Sequence, residues 1–222
     1  MTLVSAHRCL TRSAIEHAIA LEADYVEFDV QRCSDGSLVL HHDPIDVAPA
    51  DAVPYVEALD LLAGRARAHL DLKFQGGEVA AVAAAVERLG TDRLLVTTLD
   101  DDSVRRVRDW ADAEGHELLV GLSLGRGLKD IPVLHAIRVR FSELWPGLRY
   151  RRSRANVVVA HHWLARIRVR RFARRHRLPL LVWTVDTPRS LAYWIRPGRA
   201  WLVTTNEPSL ALDLRRADRI RP

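Results

Sequence analysis

Glu27-Phe28-Asp29-Val30-Gln31-Arg32-Cys33-Ser34-Asp35-Gly36-Ser37-Leu38-Val39-Leu40-His41-His42-Asp43-Pro44 reads as strand, tight turn, strand. Residues 25–30 and 37–42 are the expected strands, with Asp35-Gly36 in the turn between them. Side chains alternate across a strand, so Glu27 and Asp29 point to one side and Phe28 to the other, toward a covering helix. Carboxylates brought so close repel, and one takes up a proton unless a cation sits between them. A hard divalent ion with oxygen ligands, Mg²⁺ or Ca²⁺, resolves the conflict. His41 and His42 point to opposite faces, so only one enters the site. His42, at the strand end directly before Asp43-Pro44, is the expected one.

Working outward, strands and helices alternate along the chain. Short apolar runs at 3–6, 69–74, 94–98, 117–122, 156–160, 180–185 and 201–205 read as further strands. Helices are expected at 13–23, 55–62, 78–89, from the acids 100–102 onward, 165–176, 189–195 and 209–216. Ser13-Ala14-Ile15-Glu16 has the form of a capping box for the first helix. The segment 125–148 gives no clear pattern. Apolar runs rather than clean alternation mark a parallel sheet buried on both faces. About eight such strands in a chain of 222 residues favour a (β/α)₈ barrel over an open sheet, as one domain spanning 1–222.

In a barrel, acids that point inward near a strand's C-terminal end lie at the active-site mouth. Leu70-Asp71-Leu72-Lys73 repeats the spacing of the Glu27 strand, with Asp71 as a third carboxylate for the same ion and Lys73 facing a phosphate oxygen. His7-Arg8 ends the first strand. A guanidinium offers a fork of donors matched to phosphate, and an imidazole beside it works as acid or base near neutral pH. Trp183, late in the chain, is read either as a cover over substrate or as core. The pair His161-His162 is open in the same way.

Composition narrows the class. Apolar residues make up 48% and charged residues 27%, which suits a globular chain. No apolar run reaches the ~18 residues of a membrane span. Two cysteines, Cys9 and Cys33, make no disulfide framework and suit a reducing compartment. With His7 and Arg8 so close to Met1 there is no room for a signal peptide, and the expected location is cytoplasmic. The net charge of +5 comes from arginine, crowded at 149–154 and 166–177. That face is either simply solvated or weakly attracted to anionic membrane. No nucleic-acid motif accompanies it, and aromatics are only 6%, so no nucleic-acid partner is expected.

Together these residues resemble the glycerophosphodiester phosphodiesterase family. The pattern is His7-Arg8, then Glu27-Phe28-Asp29-Val30, then Asp35-Gly36 leading to His42-Asp43-Pro44. Pro54-Tyr55-Val56-Glu57 is similar to the family's Pro-x-Leu-Glu, and Asp71-Leu72-Lys73 to its Glu-x-Lys. Trp183-Thr184-Val185-Asp186 is similar to its Trp-Thr-Val-Asn, and Thr205-Asn206-Glu207-Pro208 to its Thr-Asp-x-Pro. The resemblance implies a TIM barrel of the phospholipase-C-like type that hydrolyses glycerophosphodiesters to glycerol 3-phosphate and an alcohol. It implies Glu27, Asp29 and Asp71 as ligands of Mg²⁺ or Ca²⁺, and His7 and His42 as the acid-base pair. Arg8 and Lys73 would bind the phosphoryl group, and Trp183 would line the substrate pocket.

The chain departs from the pattern at three places. Cys9-Leu10-Thr11 stands where Gly and a Pro-Glu-Asn-Thr loop are usual, Asp71 stands where Glu is usual, and the insertion after His-Asp-Pro shrinks to 45–53. Two rival readings follow from these departures: a non-catalytic barrel that binds phosphate or lipid, and a lysophospholipase D-type enzyme acting on lysophospholipids.

Overall fold

The structure, a computed structural model, describes residues 1–125 and 132–220. Nine strands form one sheet: β1 (Leu3–Ala6), β2 (Tyr25–Arg32), β3 (Leu38–Leu40), β4 (Ala68–Leu72), β5 (Leu94–Thr98), β6 (Leu119–Leu124), β7 (Val157–His161), β8 (Leu180–Trp183) and β9 (Leu202–Thr205). Eight of them pair in parallel, and β1 bonds both β2 and β9, so the sheet closes into a barrel. The ninth, β3, lies antiparallel on β2 with Val30 opposite Leu40. Gly36, at φ +89°, makes the turn between them, a conformation that a side chain would strain.

Helices cover the barrel: α1 (Arg12–Ala20), α2 (Tyr55–Leu62), α3 (Glu78–Leu89), α4 (Asp101–Ala113), α5 (Val133–Leu144) and α6 (Gly147–Ser153). α7 (His162–Leu164) runs through a π-turn at Ala165–Val169 into α8 (Arg170–His176), then come α9 (Pro188–Trp194) and α10 (Pro208–Ile220). The chain is thus a TIM barrel, as its strand pattern predicts. The stretch 125–148 lies partly outside the described residues, and its remainder forms α5 and the start of α6.

The first helix starts differently from expectation. Thr11, not Ser13, is the N-cap, and its side chain accepts from the Ala14 amide at 3.2 Å. Glu16 turns outward to a two-pronged bond with Arg65 at 2.7 and 2.6 Å instead of closing a box. Thr11 therefore ends the site loop and starts the helix at once. α4 is capped as its acids predict, with Asp100 accepting from the Ser103 amide at 2.8 Å.

The strands bury both faces. Val26, Phe28 and Val30 of β2 are fully buried against the helices, as are Leu70 on β4 and Val96 on β5. Inside the barrel, Tyr25, Leu95, Val157, Val159, Leu181 and Leu202 form a separate apolar layer. Gly121 on β6 makes room there, since a Cβ would meet the Val159 side chain at 2.4 Å. Above this floor the inward positions turn polar, and that change positions the site.

Candidate active site

Strand register brings the acids together. Asp29 on β2 lies opposite Asp71 on β4, and Glu27 opposite His69. One oxygen each of Glu27, Asp29 and Asp71 lies within 4.8 Å of the others. Glu27 and Asp29 are 2% and 1% exposed, so their charges are hardly shared with water. Burial first, then the charges of Asp29 and Asp71, push the Glu27 carboxyl well above its usual range, against the pull of an amide bond and Lys73.

All eight residues singled out above line one pocket of about 80 Å³: His7, Arg8, Glu27, Asp29, His42, Asp71, Lys73 and Trp183. Leu99, Val159 and Leu181 add apolar lining. Arg8 has a left-handed backbone, φ 53°, which for a residue with a side chain costs roughly 1–3 kcal/mol. That conformation sends its amide to Glu27 Oε2 at 2.6 Å and its guanidinium to His42, with Nη2 2.7 Å from Nε2.

The bonds around each imidazole fix its proton. A guanidinium only donates, so His42 Nε2 accepts from Arg8, and His42 Nδ1 donates to Asp29 Oδ2 at 2.6 Å. His41 turns away, with Nδ1 at 2.8 Å from the Asp43 carbonyl oxygen. His7 Nδ1 sits 2.9 Å from Asn206 Oδ1, and the Asn206 amide donates to Asp186 Oδ2 at 2.7 Å. Asp186 accepts only, so Asn206 must turn its oxygen to His7, and His7 donates from Nδ1. Its Nε2 faces Glu27 at 3.9 Å. Burial lowers the affinity of His7 for a second proton, with Asn206 working the other way and Arg8 adding to the drop.

Lys73 is placed otherwise than facing open space for a phosphate. Its Nζ lies 2.9 Å from Asp29 Oδ1 and also against Asp71 Oδ2. Burial alone would lower its proton affinity, but Asp71 and Asp29 outweigh that and raise it. Deeper in, His69 is fully enclosed and burial pushes it down to about 3, so it is neutral. Cys9, beside Glu27, is pushed up to about 12 by burial and is no nucleophile.

Oxygen-only donors, buried and close, are what a hard divalent ion requires. The three acids fit such an ion. Asn206 and Asp186, noted above only as members of motifs, and His69 and Thr97 also join the site. For the first two, the signal lay in their positions just after β9 and β8, at the barrel's active end.

Residues 10–62 match the model of the glycerophosphoryl diester phosphodiesterase family. No curated protein matches the chain. Among solved structures, a glycerophosphodiester phosphodiesterase from Parabacteroides distasonis superimposes with a TM-score of 0.75 at 16% identity, covering 98% of each chain. One from Agrobacterium tumefaciens gives 0.73 at 18% identity, covering 97% of this chain and 100% of the other. A phosphodiesterase from Oleispira antarctica, solved in complex with the product sn-glycerol-3-phosphate, gives 0.68 at 17% identity and covers 96% of each. Over residues 10–62 the chain is thus similar to the glycerophosphoryl diester phosphodiesterase family, and the barrel that carries them has the fold of these solved phosphodiesterases.

Proposed function

We propose that the chain is a one-domain hydrolase that splits glycerophosphodiesters into glycerol 3-phosphate and an alcohol, using Mg²⁺ or Ca²⁺ held by Glu27, Asp29 and Asp71. The observation that carries this reading is the meeting of two imidazoles, a guanidinium, an ammonium and three carboxylates in one pocket at the active end of the barrel. The product bound in the Oleispira antarctica phosphodiesterase supports the substrate class.

When bound, the cation neutralises the phosphate and polarises its oxygens. His7, neutral and tied at Nδ1, presents a bare Nε2 and takes the proton of the attacking hydroxyl, from water or from the substrate's own glycerol. Arg8 has a side chain 46% exposed. Moving from His42 to a phosphate oxygen, it leaves His42 Nε2 to carry a proton and deliver it to the departing alkoxide as the P–O bond breaks. Asp29, already bonded to His42 Nδ1, stabilises the imidazolium that this needs. Trp183 lines the same pocket. Both cysteines are buried and free, which suits work in the cytoplasm, and no helix among the described residues is long and apolar enough to cross a membrane.

The test is release of glycerol 3-phosphate from a panel of glycerophosphodiesters and lysophospholipids, with and without chelator. Turnover that chelator stops is expected. Turnover indifferent to chelator contradicts the carboxylate site. Cation binding without turnover of any substrate favours the non-catalytic binding barrel.

Two sets of arginines stand out. Arg149, Arg152 and Arg154 bond acids of α4, namely Asp101, Asp102, Asp109 and Asp112. Arg151, Arg168, Arg171 and Arg175 have no acid partner among the described residues and line a groove of about 740 Å³ with Trp145 and Leu148. Leu148 is 71% exposed. Arginines without an acid partner beside exposed apolar side chains suit an anionic bilayer, the source of lysophospholipid substrates. Sedimentation with phosphatidylglycerol vesicles, lost in high salt and weakened by Leu148→Ser, is expected. Equal binding to neutral vesicles, or binding to duplex DNA that ignores Leu148, refutes it.

A further inference from the structure

A polar chain crosses the barrel interior just beneath the carboxylates. Ser5 on β1, His69 on β4 and Thr97 on β5 are each at most 3% exposed. Thr97 Oγ1 donates to Asp71 Oδ1 at 2.8 Å, because a carboxylate only accepts. The single hydroxyl proton is then used, so Thr97 Oγ1 accepts from His69 Nε2 at 3.1 Å. An imidazole protonated on Nε2 leaves Nδ1 as an acceptor, which the Ser5 hydroxyl meets at 3.2 Å. Every donor in the chain points the same way, and the chain ends on Asp71 Oδ1. The other oxygen, Oδ2, is turned toward the Lys73 ammonium that also meets Asp29.

Packing alone does not call for this arrangement. The layer below fills the same interior with Leu95, Val157 and Leu181. Three buried polar side chains bonded in series, the last to one carboxylate oxygen, are instead what holds a short acid in one orientation. Asp71 reaches one methylene less far than a glutamate, so its rotamer decides whether it shares an ion with Glu27 and Asp29.

We propose that Thr97 and His69 are positioning residues that fix the Asp71 carboxylate for cation binding, Ser5 in turn fixing His69. The inference rests on the carboxylate cation site of the proposed function. Bonds of this kind to a ligand's far side typically govern 10–100-fold in metal affinity.

The test is calorimetric titration of the full chain with Mg²⁺ and with Ca²⁺. Thr97→Val is expected to weaken binding by about 10–100-fold. Thr97→Ser, which keeps the hydroxyl, restores it. In an Asp71→Asn background the same Thr97→Val change costs nothing further, because its route to the ion is gone. A melting curve without metal checks that each variant folds, and Thr97→Ala repeats the measurement should the valine variant not fold. Wild-type affinity in Thr97→Val overturns the inference alone. So does a loss that persists undiminished beside Asp71→Asn, since it then acts on the barrel and not through Asp71. Absence of cation binding in the wild type overturns the cation site itself, and this inference with it.

Discussion

His7 and Asn206 share a hydrogen bond of 2.9 Å between Nδ1 and Oδ1, joining the end of the first strand to the end of the last. Asp186 holds the amide of Asn206 at 2.7 Å and receives its backbone amide at 2.9 Å as well. The imidazole therefore has one available orientation, with Nε2 toward the pocket. Asn206→Ala frees the ring to rotate and to change tautomer. We expect kcat to fall about tenfold or more, up to the ~10²–10⁴-fold that a positioned base supplies in all, with KM much less affected. Steady-state kinetics on glycerophosphocholine decides this. A rise in KM with kcat intact would show that Asn206 binds substrate instead.

His42 bridges Arg8 and Asp29. Its replacement removes the proposed proton donor and leaves the Asp29 carboxylate without that partner. His42→Ala should lower turnover of glycerophosphocholine by at least about 100-fold. Near-wild-type turnover in this variant would sink the assignment.

Glu27 sits at the opposite extreme from a surface acid: 2% exposed, beside Asp29 and Asp71. Glu27→Gln keeps the shape and an oxygen for the Arg8 amide while removing one of three crowded carboxylates. Two effects of opposite sign are expected. Binding of Mg²⁺ or Ca²⁺ is lost or severely weakened, and the metal-free chain melts at a higher temperature. In a domain of this size each kcal/mol moves the midpoint by about 2–4 °C. Calorimetry for binding and scanning calorimetry in chelator read the two effects separately. A metal-free midpoint that drops would show that Glu27 stabilises the fold, contrary to its crowded placement.

Much of this was legible in the chain, for a physical reason. Period-two alternation put Glu27, Asp29 and Asp71 on inward faces, and a parallel barrel leaves inward residues at the C-terminal ends of its strands nowhere to go but the pocket. What the sequence hid were relations between distant strands. Nothing at position 97 or 206 announces a partner at 71 or at 7, because register, not local pattern, makes them neighbours. The first helix starts before its capping-box pattern for a local reason. Ser13 and Thr11 are both competent caps, and the short loop after Arg8 favours the earlier one. The spacing of Lys73 points it to phosphate, yet two carboxylates on adjacent strands claim its ammonium.

Glu78 gives a prediction outside the site. It opens α3 and reaches α4, where Oε1 accepts from Ser103 at 2.5 Å and from Arg106 at 2.6 Å, and the Gly76 amide closes on it at 2.9 Å. Burial works to raise this carboxyl, but the bonds from Arg106, Ser103 and the backbone outweigh it and hold it at about 2. A carboxyl held below its unfolded value of about 4.3 stabilises the fold above that pH and loses the contribution as the pH falls toward the folded value. At neutral pH, Glu78→Gln should therefore cost about 1.5–3 kcal/mol, the range for hydrogen bonds to a charged group. Denaturant curves of the two proteins should draw together as the pH is lowered from about 4.3 toward about 2, since the wild-type carboxyl is then protonated too. Curves that stay parallel over that interval would mean that shape, and not charge, holds α3 to α4 at this point.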